Sequence, residues 1–206
     1  MIGRKNGGNV ANCTMINLHN YNITTHFSTP LLHLNNRTLA NEMLPICRDI
    51  LSNESLVTNA WGYKNTYDPG TGIAELPEMN KFKQYTSSVA REFLQSLGYG
   101  KINFEPQIFT SQMNKKDSHG RHAHAGAVLS GVFYLNMPEG ASPIQFYDPR
   151  PWRDTRVLPV SRETEYTRSS FNFTPSVGDF IMWESWLHHE VIPNECDDRV
   201  TLVFNL

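Results

Sequence analysis

Cysteine is scarce in this chain: Cys13, Cys47 and Cys196 are the three among 206 residues. They are odd in number and far apart, which excludes a disulfide framework and a paired-cysteine metal knuckle. An excess of one charge sign is also missing, because 18 Lys and Arg stand against 20 Asp and Glu for a net charge of −2. Neither nucleic acid nor an anionic membrane is therefore an expected partner. No apolar run approaches the roughly 20 residues a spanning helix needs. The N-terminus, MIGRKNGGNVANCT, lacks the apolar stretch of a secretory signal, so a reducing cytoplasm is the expected location. The Asn-x-Ser/Thr sequons at Asn22, Asn36, Asn53 and Asn172 then carry no expectation of glycans. Charged residues are 18% of the chain against 39% hydrophobic, which excludes wholesale disorder.

What remains is enough polymer for one domain with a real core. Residues 1–14 are rich in Gly and Asn and are expected to form a flexible extension, with Met15 as an alternative start. Residues 15–206 are expected to form one domain, with 15–100 a mixed, helical support and 101–206 a β core. Arg37 to Leu51 carries apolar residues at helical intervals, with Pro45 expected near a start or a kink. Glu78 to Leu97 is a clearer helix, with Phe82, Tyr85, Val89, Phe93 and Leu97 on one face and Gly98 as the C-terminal stop. After Gly100 the period shortens. KINFEPQIFTSQMN, AVLSGVFYLNM, SPIQFY, SSFNFT, DFIMW and RVTLVFNL are short β-branched and aromatic runs separated by turn-forming residues. The expected class is mainly β with flanking helices, an antiparallel sandwich or barrel.

Five of the eight histidines fall between positions 119 and 189. His122 and His124 are two apart, so on a strand both imidazoles face one side and can converge on one ion. A third ligand must come from elsewhere, with His119, His188 and His189 as the histidine candidates. His188 and His189 are adjacent and face opposite ways on a strand, so one of them at most joins. Two ligands close in sequence and one distant leave part of a metal's coordination sphere open, as in iron sites that use oxygen. A bare His-x-His is more often an ordinary surface or hydrogen-bonded pair, so its weight depends on the neighbouring motifs. No HExxH helix, serine elbow or glycine-rich phosphate loop is present. Ten residues after His189 comes Arg199, followed by Thr201, with PNECDD as a turn that would fold the two strands back as a hairpin. Arg199 and Thr201 share a face opposite Val200, Leu202 and Phe204, and a guanidinium beside a hydroxyl suits a carboxylate. Tyr134 adds a phenol donor. An ion pair of Arg199 with Asp197 or Asp198 at a strand edge is the plainer alternative.

These segments, HAHAGAVLSGVFYLN, PIQFYDPRP and VGDFIMWESWLHHEVIPNECDDRVTLVFNL, resemble the iron(II)- and 2-oxoglutarate-dependent oxygenases. The likeness lies between His122 and Leu206, is similar to prolyl hydroxylases over the metal segments, and is strongest to a group from bacteria and their phages. It implies a double-stranded β-helix (a jelly-roll or cupin-like barrel) with Fe(II), 2-oxoglutarate and O2 as the reacting partners. His122 and His189 fall on the family's two iron histidines, and Arg199 and Thr201 on the Arg-x-Ser/Thr pair that holds the far carboxylate of 2-oxoglutarate. Tyr134 falls on a tyrosine that supports that carboxylate. His124 stands where the wider superfamily has Asp. A three-histidine site is the adopted expectation, with a two-histidine site open to halide or water, or recruitment of Asp117, as alternatives.

The implied activity is a dioxygenase that couples decarboxylation of 2-oxoglutarate to succinate with hydroxylation of an organic substrate. Two other readings stand beside it: a three-histidine cupin-type dioxygenase without 2-oxoglutarate, and a non-catalytic β-barrel interaction module. Arg150, Trp152, Arg153, Trp183 and Trp186 are candidate substrate-rim residues for a small molecule or peptide, and a homodimer is compatible with the chain.

Overall fold

The computed structural model describes residues 24–59, 61–67, 73–150 and 158–206. The expected extension over 1–14 lies outside these residues, as do Trp152 and Arg153. A short strand β1 (Leu31–Asn35) precedes helix α1 (Arg37–Ser52), strand β2 (Lys64–Asn65) and helix α2 (Asn80–Ser96). Eight strands follow: β3 (Gln107–Met113), β4 (His119–His122), β5 (Leu129–Asn136), β6 (Ile144–Tyr147), β7 (Ser170–Phe173), β8 (Asp179–Glu184), β9 (His189–Val191) and β10 (Arg199–Asn205).

Helix α1 starts at Asn36, whose side chain accepts the Leu39 N–H at 3.0 Å and satisfies one of the first-turn donors. Pro45 neither starts nor ends this helix: it lies inside a continuous run of 16 residues. The position is tolerable because Pro45 and Asn41, whose carbonyl loses its partner, are both on the exposed face where water takes over. Helix α2 ends as expected, with Gly98 at φ +91° and the Tyr99 N–H returning to the Leu94 carbonyl at 2.9 Å. Leu97 is left half-exposed, and Leu94 takes the buried place instead.

The strands form two antiparallel sheets, one in the order β1-β8-β5-β10-β3-β2 and the other β4-β9-β6-β7. Both helices pack on the outer face of the larger sheet. Phe82 of α2 stacks on Phe133 of β5 at 5.6 Å, with Phe180 and Phe204 against it. Each such side chain contributes about 1.5–3 kcal/mol on burial. Gly131 is required here, since a Cβ would lie 2.2 Å from the Phe204 ring and 2.3 Å from the Ile181 carbonyl oxygen. The inner faces carry a second, smaller cluster built on Tyr134, Ile144, Phe146, Ile181, Trp183 and Leu187.

The expected hairpin between the last two strands does not form. β9 pairs with β4 and β6, while β10 pairs with β3 and β5. The PNECDD segment thus crosses from one sheet to the other, because each strand finds its apolar partners in a different sheet. The crossing sets His189 and Arg199 on opposite walls of the space between the sheets.

Candidate active site

The space between the sheets is a cavity of about 770 Å³. His122, His124 and His189 line it, and one ligand nitrogen from each lies within 4.8 Å of the others. His122 closes β4 and His189 opens β9, and the two are paired across the ladder. His124 arrives differently from the strand expectation. It lies beyond the end of β4, where its backbone N–H bonds the Ser185 carbonyl at 3.0 Å. His188 is exposed, as the alternation required.

The Nδ1 atoms of His122 and His189 each face a backbone carbonyl, that of Gly120 at 2.8 Å and Leu187 at 2.9 Å. Those carbonyls accept an N–H, so Nδ1 carries the proton and Nε2 keeps its lone pair. The Nε2 of His189 lies 3.3 Å from that of His124. Burial pulls the His124 pKa down to about 4 and that of His189 to about 3, and each is lowered further by His122. Burial lowers His122 as well, against the raising effect of the Gly120 carbonyl. All three rings are neutral near pH 7, which is the state a metal ion requires of imidazole. Asp117 is spent elsewhere: its carboxylate accepts the Asn114 N–H at 2.7 Å in a turn, and it does not line the cavity.

At the other wall, Arg199 is 2% exposed and its Nη1 touches only the Met113 sulfur, at 3.5 Å. No ion pair to it forms among the described residues, so the alternative of a pairing with Asp197 or Asp198 does not apply. The guanidinium lies 5.5 Å from the Tyr134 ring centre. Arg199 Nε, Tyr134 OH and Trp183 Nε1 are three buried donors without a partner among the described residues, and all three residues line the cavity. Such groups cost several kcal/mol each when charged and about 1–3 kcal/mol when neutral, unless a ligand satisfies them. Thr201 faces the same cavity and shares a hydrogen bond with Ser111 at 2.8 Å. A cluster of neutral imidazole lone pairs opposite a buried, unpaired cation fits a divalent metal and an anionic ligand held between them.

The remaining candidates divide. Trp183 is buried in the cavity wall, edge-on to His189 at 4.7 Å. Arg150 is not in that wall; its guanidinium is bound bidentately by Asp148, at 2.6 and 2.9 Å. Trp186 sits in the turn between β8 and β9, 48% exposed and away from the cavity. The cavity also contains His119, one of the candidates for the third ligand, and two residues that the sequence did not single out, Tyr63 and Trp61. His119 and His122 are three apart and would face opposite ways on a regular strand. A bulge in β4, three steps against two on β9, turns both inward. Their rings are 4.1 Å apart, Trp61 stacks on His119 at 5.1 Å, and the Tyr63 hydroxyl bonds its Nδ1. Burial, then the charge of His122, lowers the His119 pKa to about 4. No local pattern announces a bulge, and Tyr63 is 56 residues away.

Residues 107–205 match the model of a family described as "Putative 2OG-Fe(II) oxygenase". No curated protein matches the chain. Among solved structures, the chain is similar to a prolyl-4-hydroxylase of Pseudomonas putida, with a TM-score of 0.61 and 14% identity over 86% of this chain and 92% of that one. It is similar also to a prolyl hydroxylase of Trichoplax adhaerens in complex with a peptide fragment of a hypoxia inducible factor (TM-score 0.59, 13% identity, 87% and 84% covered). A third is the non-haem α-ketoglutarate-dependent epimerase SnoN from nogalamycin biosynthesis (0.60, 15%, 86% and 76%). At these identities the likeness is one of fold, the double-stranded β-helix.

Proposed function

From a β core that matches the model of a family described as putative 2OG-Fe(II) oxygenases, we propose that the chain is such an enzyme and couples oxidative decarboxylation of 2-oxoglutarate to hydroxylation of an organic substrate. His122, His124 and His189 hold Fe(II) through three neutral nitrogens, and Arg199 holds the far carboxylate of 2-oxoglutarate with Tyr134 and Thr201 beside it. The iron, when bound, supplies the redox chemistry that joins O2, 2-oxoglutarate and substrate; the chain supplies position, charge and dryness. The observation that carries the reading is Arg199, a cation sealed in the cavity with no acid among the described residues to pair with it. A guanidinium presents parallel N–H groups that match a carboxylate, and Tyr134 has a hydroxyl to add. The backbone carbonyls behind His122 and His189 keep the ring orientation before a ligand arrives. Tyr134, Trp183, Ile144 and Val191 wall the cavity with largely apolar surface, which strengthens each charged contact inside. Arg199 also weighs against an oxygenase that dispenses with 2-oxoglutarate, because nothing else described would use its charge.

The purified protein with Fe(II), ascorbate and 2-oxoglutarate is expected to release succinate. His189→Ala is expected to abolish that release while the fold, followed by circular dichroism, persists. Calorimetry that detects no 2-oxoglutarate binding to the metal-loaded protein would overturn the reading.

A further inference from the structure

The cavity has a wall that neither the histidine motif nor the Arg-x-Thr motif supplies. Tyr63 comes from the N-terminal half, ahead of β2, and its hydroxyl meets the Nδ1 of His119 on β4. A phenol is the stronger acid of the two and an imidazole nitrogen the stronger base, so the bond runs from O–H to N. The Nδ1 atom thereby accepts, which leaves the ring proton of neutral His119 on Nε2. That edge makes no hydrogen bond to the described protein, although His119 lines the cavity. The ring is in contact with both Trp61 and His122, which with the Tyr63 bond hold its direction without a ligand.

The pair also lies between the two ends of the site. Tyr63 is near enough to Arg199 to feel its charge, and His119 is in ring contact with His122. A five-carbon diacid with one carboxylate at Arg199 and its 2-oxo acid end at the three histidines would pass along this wall. We propose that Tyr63 and His119 form a further recognition arm for the co-substrate, with the His119 Nε2–H donating to the 2-oxo acid end. Tyr63 is then a positioning residue that holds the tautomer, and β4 is bulged so that His119 can serve. This inference rests on the oxygenase reading and adds a contact from the N-terminal half of the chain.

The test uses the full chain loaded with zinc(II) and titrated with 2-oxoglutarate in a calorimeter, so that no turnover is involved. Tyr63→Phe and His119→Phe are expected to weaken binding about tenfold each, the worth of one hydrogen bond to a carboxylate. His119→Gln keeps an N–H and is expected to bind within about threefold of the parent. Zinc stoichiometry and the unfolding temperature are measured on every variant. Removal variants that bind within threefold of the parent overturn the proposal. So does a Gln variant as weak as the Phe variant, or loss of zinc, which would assign the residues to packing or to metal retention. A parent protein that binds zinc but no 2-oxoglutarate defeats the oxygenase reading itself, a result distinct from all of these.

Discussion

Arg199 is an expensive residue to leave in a protein interior. A cation in such surroundings loses its hydration, and the described protein offers it the Met113 sulfur, two phenols and the Cys196 thiol in return, none of them a carboxylate. Burial pulls its pKa down, against the raising influence of Tyr134 and Tyr63. Arg199→Met keeps the volume and removes the charge. The ligand-free variant is expected to be as stable as the parent or more so, by up to about 4 kcal/mol in thermal or urea unfolding. The same change should weaken 2-oxoglutarate binding by about 2–5 kcal/mol. A ligand-free variant much less stable than the parent would mean that Arg199 serves the fold.

At the scale of elements, β1 is an edge strand held from one side. It is five residues long, largely exposed, and pairs with β8 alone. A polar clasp secures it: the Asp179 carboxylate accepts from Asn35 at 2.8 Å, from His33 at 3.0 Å and from the Ser176 N–H at 2.7 Å. Burial pushes the Asp179 pKa up, but these hydrogen bonds outweigh it and the net shift is downward. A carboxyl held below its unfolded value stabilises the fold above the unfolded pKa and loses that contribution as pH falls through the folded one. Asp179→Ala is therefore expected to cost about 2 kcal/mol at pH 7. The gap from the parent, followed by urea unfolding across pH, should hold until the ordinary carboxyl range near 3.8 and then shrink below it. A gap that widens in acid would refute the clasp. The β4 bulge is the other element-scale device, and it decides which histidines share a cavity.

For the whole molecule, the site joins two sheets that otherwise meet through one small cluster. His122 and His189 belong to the four-stranded sheet, while Tyr134, Arg199 and Thr201 belong to the six-stranded one. A metal with 2-oxoglutarate would tie them together, and anything that binds only the folded chain stabilises it by mass action. At one hundred times its dissociation constant, 2-oxoglutarate should add about 2.7 kcal/mol to the metal-loaded protein, a rise of roughly 5–10 °C in unfolding temperature. A chelator should reverse both increments. Arg199→Met should keep the metal's increment and lose that of 2-oxoglutarate.

Composition and period alone determined much of this protein. Short alternating runs after Gly100 specify strands because a side chain that alternates with period two can be buried on one face only, and the same rule sets Arg199 and Thr201 apart from Val200, Leu202 and Phe204. The adjacency of His188 and His189 likewise decided that one would be exposed. Tertiary structure alone decided the rest, wherever the determining contact is distant in sequence or the chain departs from its period. Pro45 stays inside a helix because its face meets water. β9 and β10 part to different sheets because their apolar partners lie there. His119 turns inward through a bulge to meet Tyr63, 56 residues before it.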